Sequence, residues 1–173
     1  MDFKSIPKLI PAPNYRINVS WAYLEGHIKQ ESDATDGLAA LDLNPDFQRG
    51  YVWTEAQKTA YVEYALLGGV SGRDLYFNCV GWGGSSLGPY VIVDGKQRLE
   101  AVRGFLANKV KAFGCYCEDI SNLPLRQTCF LWNVNNLPSR KAVLQWYLEM
   151  NSGGTVHADS ELDRVRGLLK SEG

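Results

Sequence analysis

The sequence predicts an α+β fold, close to α/β in the way its elements alternate, with a small mixed sheet packed by helices. Two observations carry this. Short apolar or alternating runs at residues 75–80, 90–93 and 127–134 have the length and period of strands. Between and after them lie stretches with apolar residues at helical spacing, several opened by a capping residue. Strands interleaved with helices bury a sheet against helical layers.

In order along the chain, residues 1–19 carry Pro7, Pro11 and Pro13 and read as an extended arm. Ser20 is placed to cap a helix from Trp21 to about Gln30, with Trp21, Leu24 and Ile28 on one face. Residues 31–37 are polar and turn-like. Pro45 disfavours helix at Asn44, so residues 41–53 are expected as short extended pieces around a loop. Thr54-Glu55-Ala56-Gln57 is a capping box. Its helix runs to Leu67, stops at Gly68-Gly69 and buries Tyr61, Tyr64, Ala65 and Leu67. Leu75 to Val80 is a strand with Leu75, Phe77 and Cys79 on one face, followed by a Gly/Ser-rich loop that holds Trp82. Tyr90 to Val93 is apolar enough to be buried on both faces. After Gly95 a helix groups Leu99, Val102 and Leu106 and ends near Asn108. Val110 to Tyr116 and Gln127 to Val134 are further strands, the latter alternating Phe130, Trp132 and Val134. Ser139 caps a helix to about Met150 that uses Val143, Leu144, Tyr147 and Leu148. Asp159 or Ser160 opens a last helix with Leu162, Val165, Leu168 and Leu169.

Lys and Arg total 18 against 19 Asp and Glu, a net charge of −1. That excludes a surface coated in basic charge for non-specific DNA binding, though not a local basic groove. No stretch approaches the ~20 apolar residues of a membrane span, and residues 1–13 lack the apolar core of a signal peptide. The expectation is a cytoplasmic protein with no membrane partner. Cys115 and Cys117 form a C-x-C rather than the paired C-x-x-C of a zinc site, and with Cys79 and Cys129 they are expected as reduced cysteines in or near the sheet.

Three segments carry candidate chemistry. In the first, the strand at 90–93 runs through Asp94-Gly95-Lys96-Gln97-Arg98 directly into a helix. Free N–H groups and the positive end of the dipole make a helix start an anion site. Lys96 and Arg98 add charge there, and Asp94 can hold a metal, a hydroxyl or a neighbouring arginine. A plain strand-to-helix turn accounts for the same residues, with Asp94 as N-cap and Lys96 and Arg98 on a solvated face. Neither a Walker A loop nor a G-x-G-x-x-G after a strand is present. In the second segment, residues 44–53, Gln48-Arg49 places an amide beside a guanidinium, as Gln97-Arg98 does. An arginine grips phosphate bidentately; alternatively Arg49 pairs with an acid such as Asp94 while Phe47, Val52 and Trp53 plug a core. In the third, Asn151 to His157, the pair Gly153-Gly154 admits close backbone approach to a ligand, Asn151 and Thr155 supply polar groups, and His157 suits acid–base work. A helix C-cap followed by a linker explains that segment too. Trp82, in its glycine loop, is the candidate platform for stacking a base.

Taken in order, the F-Q-R-x-Y-x-W stretch at Phe47–Trp53, D-G-x-Q-R-L at Asp94–Leu99 and N-x-G-G at Asn151–Gly154, ahead of an acidic Glu161-Leu162 helix, resemble one family. It is the N-terminal domain of GmrSD-type modification-dependent restriction enzymes, within the wider ParB/sulfiredoxin-like superfamily. The resemblance covers about Leu41 to Leu169. It implies an N-terminal arm and helix over 1–40 and a nucleotide-binding domain over 41–173, one globular unit together. The implied ligand is an NTP (ATP, CTP or GTP) with Mg²⁺, and the implied reaction is NTP hydrolysis on or with DNA. Residue by residue, it implies nucleotide binding by Gly95, Lys96, Gln97, Arg98, Asn151, Gly153 and Gly154. It implies catalytic roles for Asp94, Arg98, Arg49 and Gln48, with Asp94 also the metal ligand. The family's D-G-Q-Q-R reads D-G-K-Q-R here, with Lys96 replacing the first Gln. Sulfiredoxin's catalytic cysteine has no counterpart in the turn. The family's His-Asn-His nuclease module is not expected either, since only His27 and His157 occur. The expectation is a stand-alone form of the kind found on phages and plasmids, where similar proteins have nuclease and ATPase activity. Two readings stay open, ranked ahead of a sequence-reading DNA binder of ParB type, for which no recognisable helix-turn-helix follows the core. One is an NTPase that acts on or with DNA, extending to a metal-dependent DNase. The other is a non-enzymatic module that binds a host defence or transfer protein.

Overall fold

The computed structural model describes residues 15–33, 40–82, 88–151 and 159–172. Five strands form one mixed sheet: β1 (Tyr15–Ser20), β2 (Leu41–Asp42), β3 (Asp74–Cys79), β4 (Tyr90–Asp94) and β5 (Cys129–Asn135), in the order β1-β5-β3-β4-β2. The β1–β5 and β3–β4 pairs are antiparallel, and β3–β5 and β2–β4 are parallel. Five α-helices accompany the sheet among the described residues: α1 (Leu24–Ser32), α2 (Glu55–Leu66), α3 (Lys96–Leu106), α4 (Arg140–Asn151) and α5 (Asp159–Ser171). This is the α+β fold the sequence predicts. No helix among the described residues is long and apolar enough to cross a membrane.

The apolar run of β4 makes it an inner strand with a core on each face. Tyr90 and Ile92 join a core built with Leu24 and Ile28 of α1, Val62 and Ala65 of α2, and Leu99, Val102 and Phe105 of α3. Val93, one residue on and therefore on the other face, joins a second core of Phe47, Val143, Leu144, Tyr147 and Val165. The strand thus delivers its last residue, Asp94, to the seam between the two helical layers.

The capping box forms as predicted: the Thr54 side chain accepts from the Gln57 N–H while the Gln57 side chain accepts from the Thr54 N–H. The helix ends where Gly68 turns left-handed at φ 93°. Its buried side is offset from the predicted one. Val62 and Ala65 face the core, whereas Leu67 is 78% exposed and the Tyr64 hydroxyl bonds Ser71 at the surface. Two further expectations are corrected. Ser20 caps nothing: its hydroxyl is buried without a partner, and the chain enters α1 through a 3₁₀ turn whose Trp21 and Ala22 N–H groups donate to the Thr128 and Leu125 carbonyls. Residues 110–116 are not a strand. Ala112 and Cys115 exchange backbone bonds around Phe113 and Gly114, both at positive φ, and the resulting tight turn exposes Phe113. All four cysteines are free. The proline arm at Pro7, Pro11 and Pro13 lies outside the described residues, while the end of that expected extended stretch pairs as edge strand β1.

Candidate functional site

Asp94 closes β4 and Gly95 begins α3. Gly95 sits at φ 97°, a left-handed conformation that glycine adopts without penalty. A Cβ there would lie 2.4 Å from Leu75 Cδ2 and 3.2 Å from Arg98 Nη2, so the turn has no room for a side chain. Gly95, not Asp94, is the N-cap of α3, and its carbonyl accepts the Leu99 N–H at 2.9 Å. The first-turn N–H groups of the helix, which have no intrahelical partner, belong to Lys96, Gln97 and Arg98. These residues line a cleft of about 270 Å³.

The cleft has three walls: two are segments singled out in the sequence, and the third shares only Asn151 with the last of them. Asp94 to Arg98 form the floor, Gln48, Arg49 and Trp53 come from the loop between β2 and α2, and Tyr147, Met150 and Asn151 come from the last turns of α4. The segments are brought together by the two cores. Phe47 is buried in the second core, edge-on to Tyr147 at 5.4 Å, and so anchors the loop beside α4. Trp53 packs edge-on against Tyr61 at 5.6 Å on the first core.

Most of the polar side chains in the predicted motifs are spent on holding this shape. Gln97 accepts from the Val52 and Trp53 N–H groups at 3.0 and 3.2 Å and donates to the Gly50 carbonyl at 2.9 Å. Gln48 reciprocates from the loop, donating to the Ile92 and Val93 carbonyls at 3.3 and 2.6 Å. The two glutamines therefore clasp loop to turn. Lys96 departs from expectation. It is 7% exposed, donates to the Arg49 carbonyl at 2.9 Å and lies 5.0 Å over the Tyr51 ring. Burial pushes its pKa below the ordinary lysine value. It supports the loop and does not stand on a solvated face.

Arg98 threads between Gly72 and Gly95, where a Cβ on Gly72 would lie 3.3 Å from its Cδ. Its Nη2 donates to Asp94 Oδ2 at 2.7 Å and to the Asp74 carbonyl at 2.9 Å, and its Nε is buried without a partner. Arg98 is therefore the arginine that takes the Asp94 carboxylate. Asn151 donates to the Tyr147 carbonyl at 2.7 Å. Gly153, Gly154 and His157 lie outside the described residues. Trp82 does not belong to the cleft: it is half-buried between Tyr15 and Tyr90, at the opposite end of β4 from Asp94, and is no free stacking platform.

Sequence reasoning missed the apolar wall. Tyr147 lies one helical turn before Asn151, and that i, i+4 spacing is the signal that places both on one face. Among the described residues no three His, Cys, Asp or Glu side chains converge as a metal site, and Asp94 is the one carboxylate that lines the cleft. The arrangement offers anion-binding N–H groups and two guanidinium-bearing residues opposite an apolar wall.

A family model described as "GmrSD restriction endonuclease, N-terminal domain" matches residues 28–153, a span that includes every cleft residue named above. No curated protein and no solved structure matches the chain.

Proposed function

We propose a function on one premise, that this chain belongs to the GmrSD restriction endonuclease N-terminal domain family: it binds a nucleoside triphosphate in the cleft and serves a restriction-type, DNA-directed system. One observation carries this reading. Three separate segments of the family's span meet at one helix N-terminus, with Arg49 and Arg98 at the same cleft. In this reading the amides of Lys96, Gln97 and Arg98 and the Arg98 Nη1 take phosphate oxygens, and Arg49 stabilises charge that develops in phosphoryl transfer. Tyr147, Met150 and Trp53 pack the remainder of the nucleotide. Asp94, held by Arg98, is placed to orient a water. Gln48, Gln97 and Lys96 act by holding the loop.

Among the described residues the donor set does not fit a metal held by the protein alone, because they bring one carboxylate to the cleft and an arginine occupies it. Mg²⁺ enters this reading on the nucleotide's own phosphates, and no DNA cleavage by a metal at this cluster follows. Slow hydrolysis of ATP, CTP or GTP, kinship with the wider ParB/sulfiredoxin-like superfamily and a cytoplasmic setting belong to the same proposal.

Calorimetric titration with ATP, CTP and GTP, each with Mg²⁺, tests it. At least one should bind, and Arg49→Gln should weaken that binding by about 10-fold or more, the scale of a lost charge-assisted hydrogen bond. A folded wild type that binds none of the three overturns the proposal. Phosphate release with and without DNA then tests turnover.

One observation favours a second reading. Gln48, Gln97, Lys96 and Arg98 all make hydrogen bonds within the protein, so the motif also serves a rigid, non-enzymatic module that docks a host defence or transfer protein. Capture of such a partner, unaffected by Arg49→Gln, supports it.

A further inference from the structure

The loop that carries Arg49 has an unusual support. Besides the Gln48 N–H to Pro45 carbonyl bond at 3.0 Å, the described bonds to its peptide groups between Asp46 and Trp53 come from side chains. On one side Lys96 and Gln97 of α3 hold the stretch from Arg49 to Trp53. On the other side Arg164 of α5 holds the stretch before it. Arg164 Nη1 donates to the Asp46 carbonyl at 2.5 Å and Nη2 to the Phe47 carbonyl at 2.9 Å. Two consecutive carbonyls on one guanidinium leave the backbone little freedom at the two positions that precede Gln48-Arg49. The Asp46 side chain is gripped separately by Arg140 at 2.8 and 3.0 Å, and Arg140 also bonds Glu172 beyond α5 at 3.0 Å. Val165, next to Arg164, is fully buried in the same core as Phe47.

We infer that Arg164 is a positioning residue for the cleft: the C-terminal helix sets where Arg49 stands, through the backbone of Asp46 and Phe47. Arg164 is not among the cleft residues, so it acts through the loop. The inference rests on the nucleotide-binding reading for its ligand and on geometry alone for the coupling. Docking of α5 and closure of the Arg49 wall are then one event, and anything that pulls α5 away weakens the cleft without touching it.

Two readouts test this, on the full chain. Hydrogen exchange of the Val52 and Trp53 amides should quicken by about 10-fold in Arg164→Met, which keeps the stem and removes the fork, while the amides of α2 stay unchanged; Arg164→Lys should recover part of the protection. For the nucleotide that binds wild type best, Arg164→Met should raise Kd about 10-fold, and combining it with Arg49→Gln should add little to the effect of Arg49→Gln alone. Unchanged exchange across the loop, or fully additive effects on Kd, overturns the inference. If wild type binds no nucleotide, the nucleotide reading fails and the exchange measurement alone decides the role of Arg164.

Discussion

Gly95→Ala attacks the hinge of the cleft, and its cost can be worked from the geometry. The residue stands at φ 97°, where an L side chain costs about 1–2 kcal/mol. The new Cβ would lie 2.4 Å from Leu75 Cδ2 and 3.3 Å from Leu75 Cα. Leu75 is fully buried, so its side chain cannot swing clear, and overpacking of this kind costs about 1–3 kcal/mol. Together the two effects destabilise by about 2–5 kcal/mol, or roughly 4–20 °C in Tm for a chain of this size. Gly50→Ala is the internal control. A Cβ there meets nothing within 4 Å and the backbone is not left-handed, so stability should stay within about 0.5 kcal/mol of wild type. Urea unfolding followed by tryptophan fluorescence reads both variants as shifts in midpoint at constant slope. A Gly95→Ala loss below about 1 kcal/mol, or equal losses in both variants, would refute the claim that this turn requires glycine.

Gln97→Leu removes all three bonds that clasp residues 50–53; because the loop is partly open to water, the expected cost is about 1–2 kcal/mol. Gln97→Glu, which keeps the acceptor and loses the donor to Gly50, should fall between, as checked by thermal melts. His27 sits edge-on to Trp132 at 4.7 Å, and burial lowers its pKa. The unfolded chain therefore binds more protons than the folded one between the folded value and about 6.5, so stability is lost as pH falls through that window. His27→Phe should flatten this part of the stability–pH curve, and a curve of unchanged steepness would sink the assignment.

The local elements were readable in the sequence because their causes are local. Thr54 and Gln57 cap each other across one turn, Gly68 ends the helix they open, and the apolar run at 90–93 reads as a strand buried on both faces. The same locality explains the errors. The 110–116 stretch alternates like a strand, but among the described residues no strand pairs with it and Gly114 turns it back. Ser20 looks like a cap, yet the Thr128 and Leu125 carbonyls reach the free N–H groups first.

Residue types in the three motifs marked the cleft, and the tertiary structure decided what each does. Which partner an amide or guanidinium meets depends on groups far along the chain: Gln97 meets residues 50–53, Gln48 meets β4, and Arg164 meets residues 46 and 47. By itself the sequence determined strands β3, β4 and β5, the helices and the family, because pattern and propensity act within a few residues. Only the packing of Phe47, Val93, Tyr147 and Val165 into one core brought the three segments together, since burial of apolar surface is blind to sequence separation.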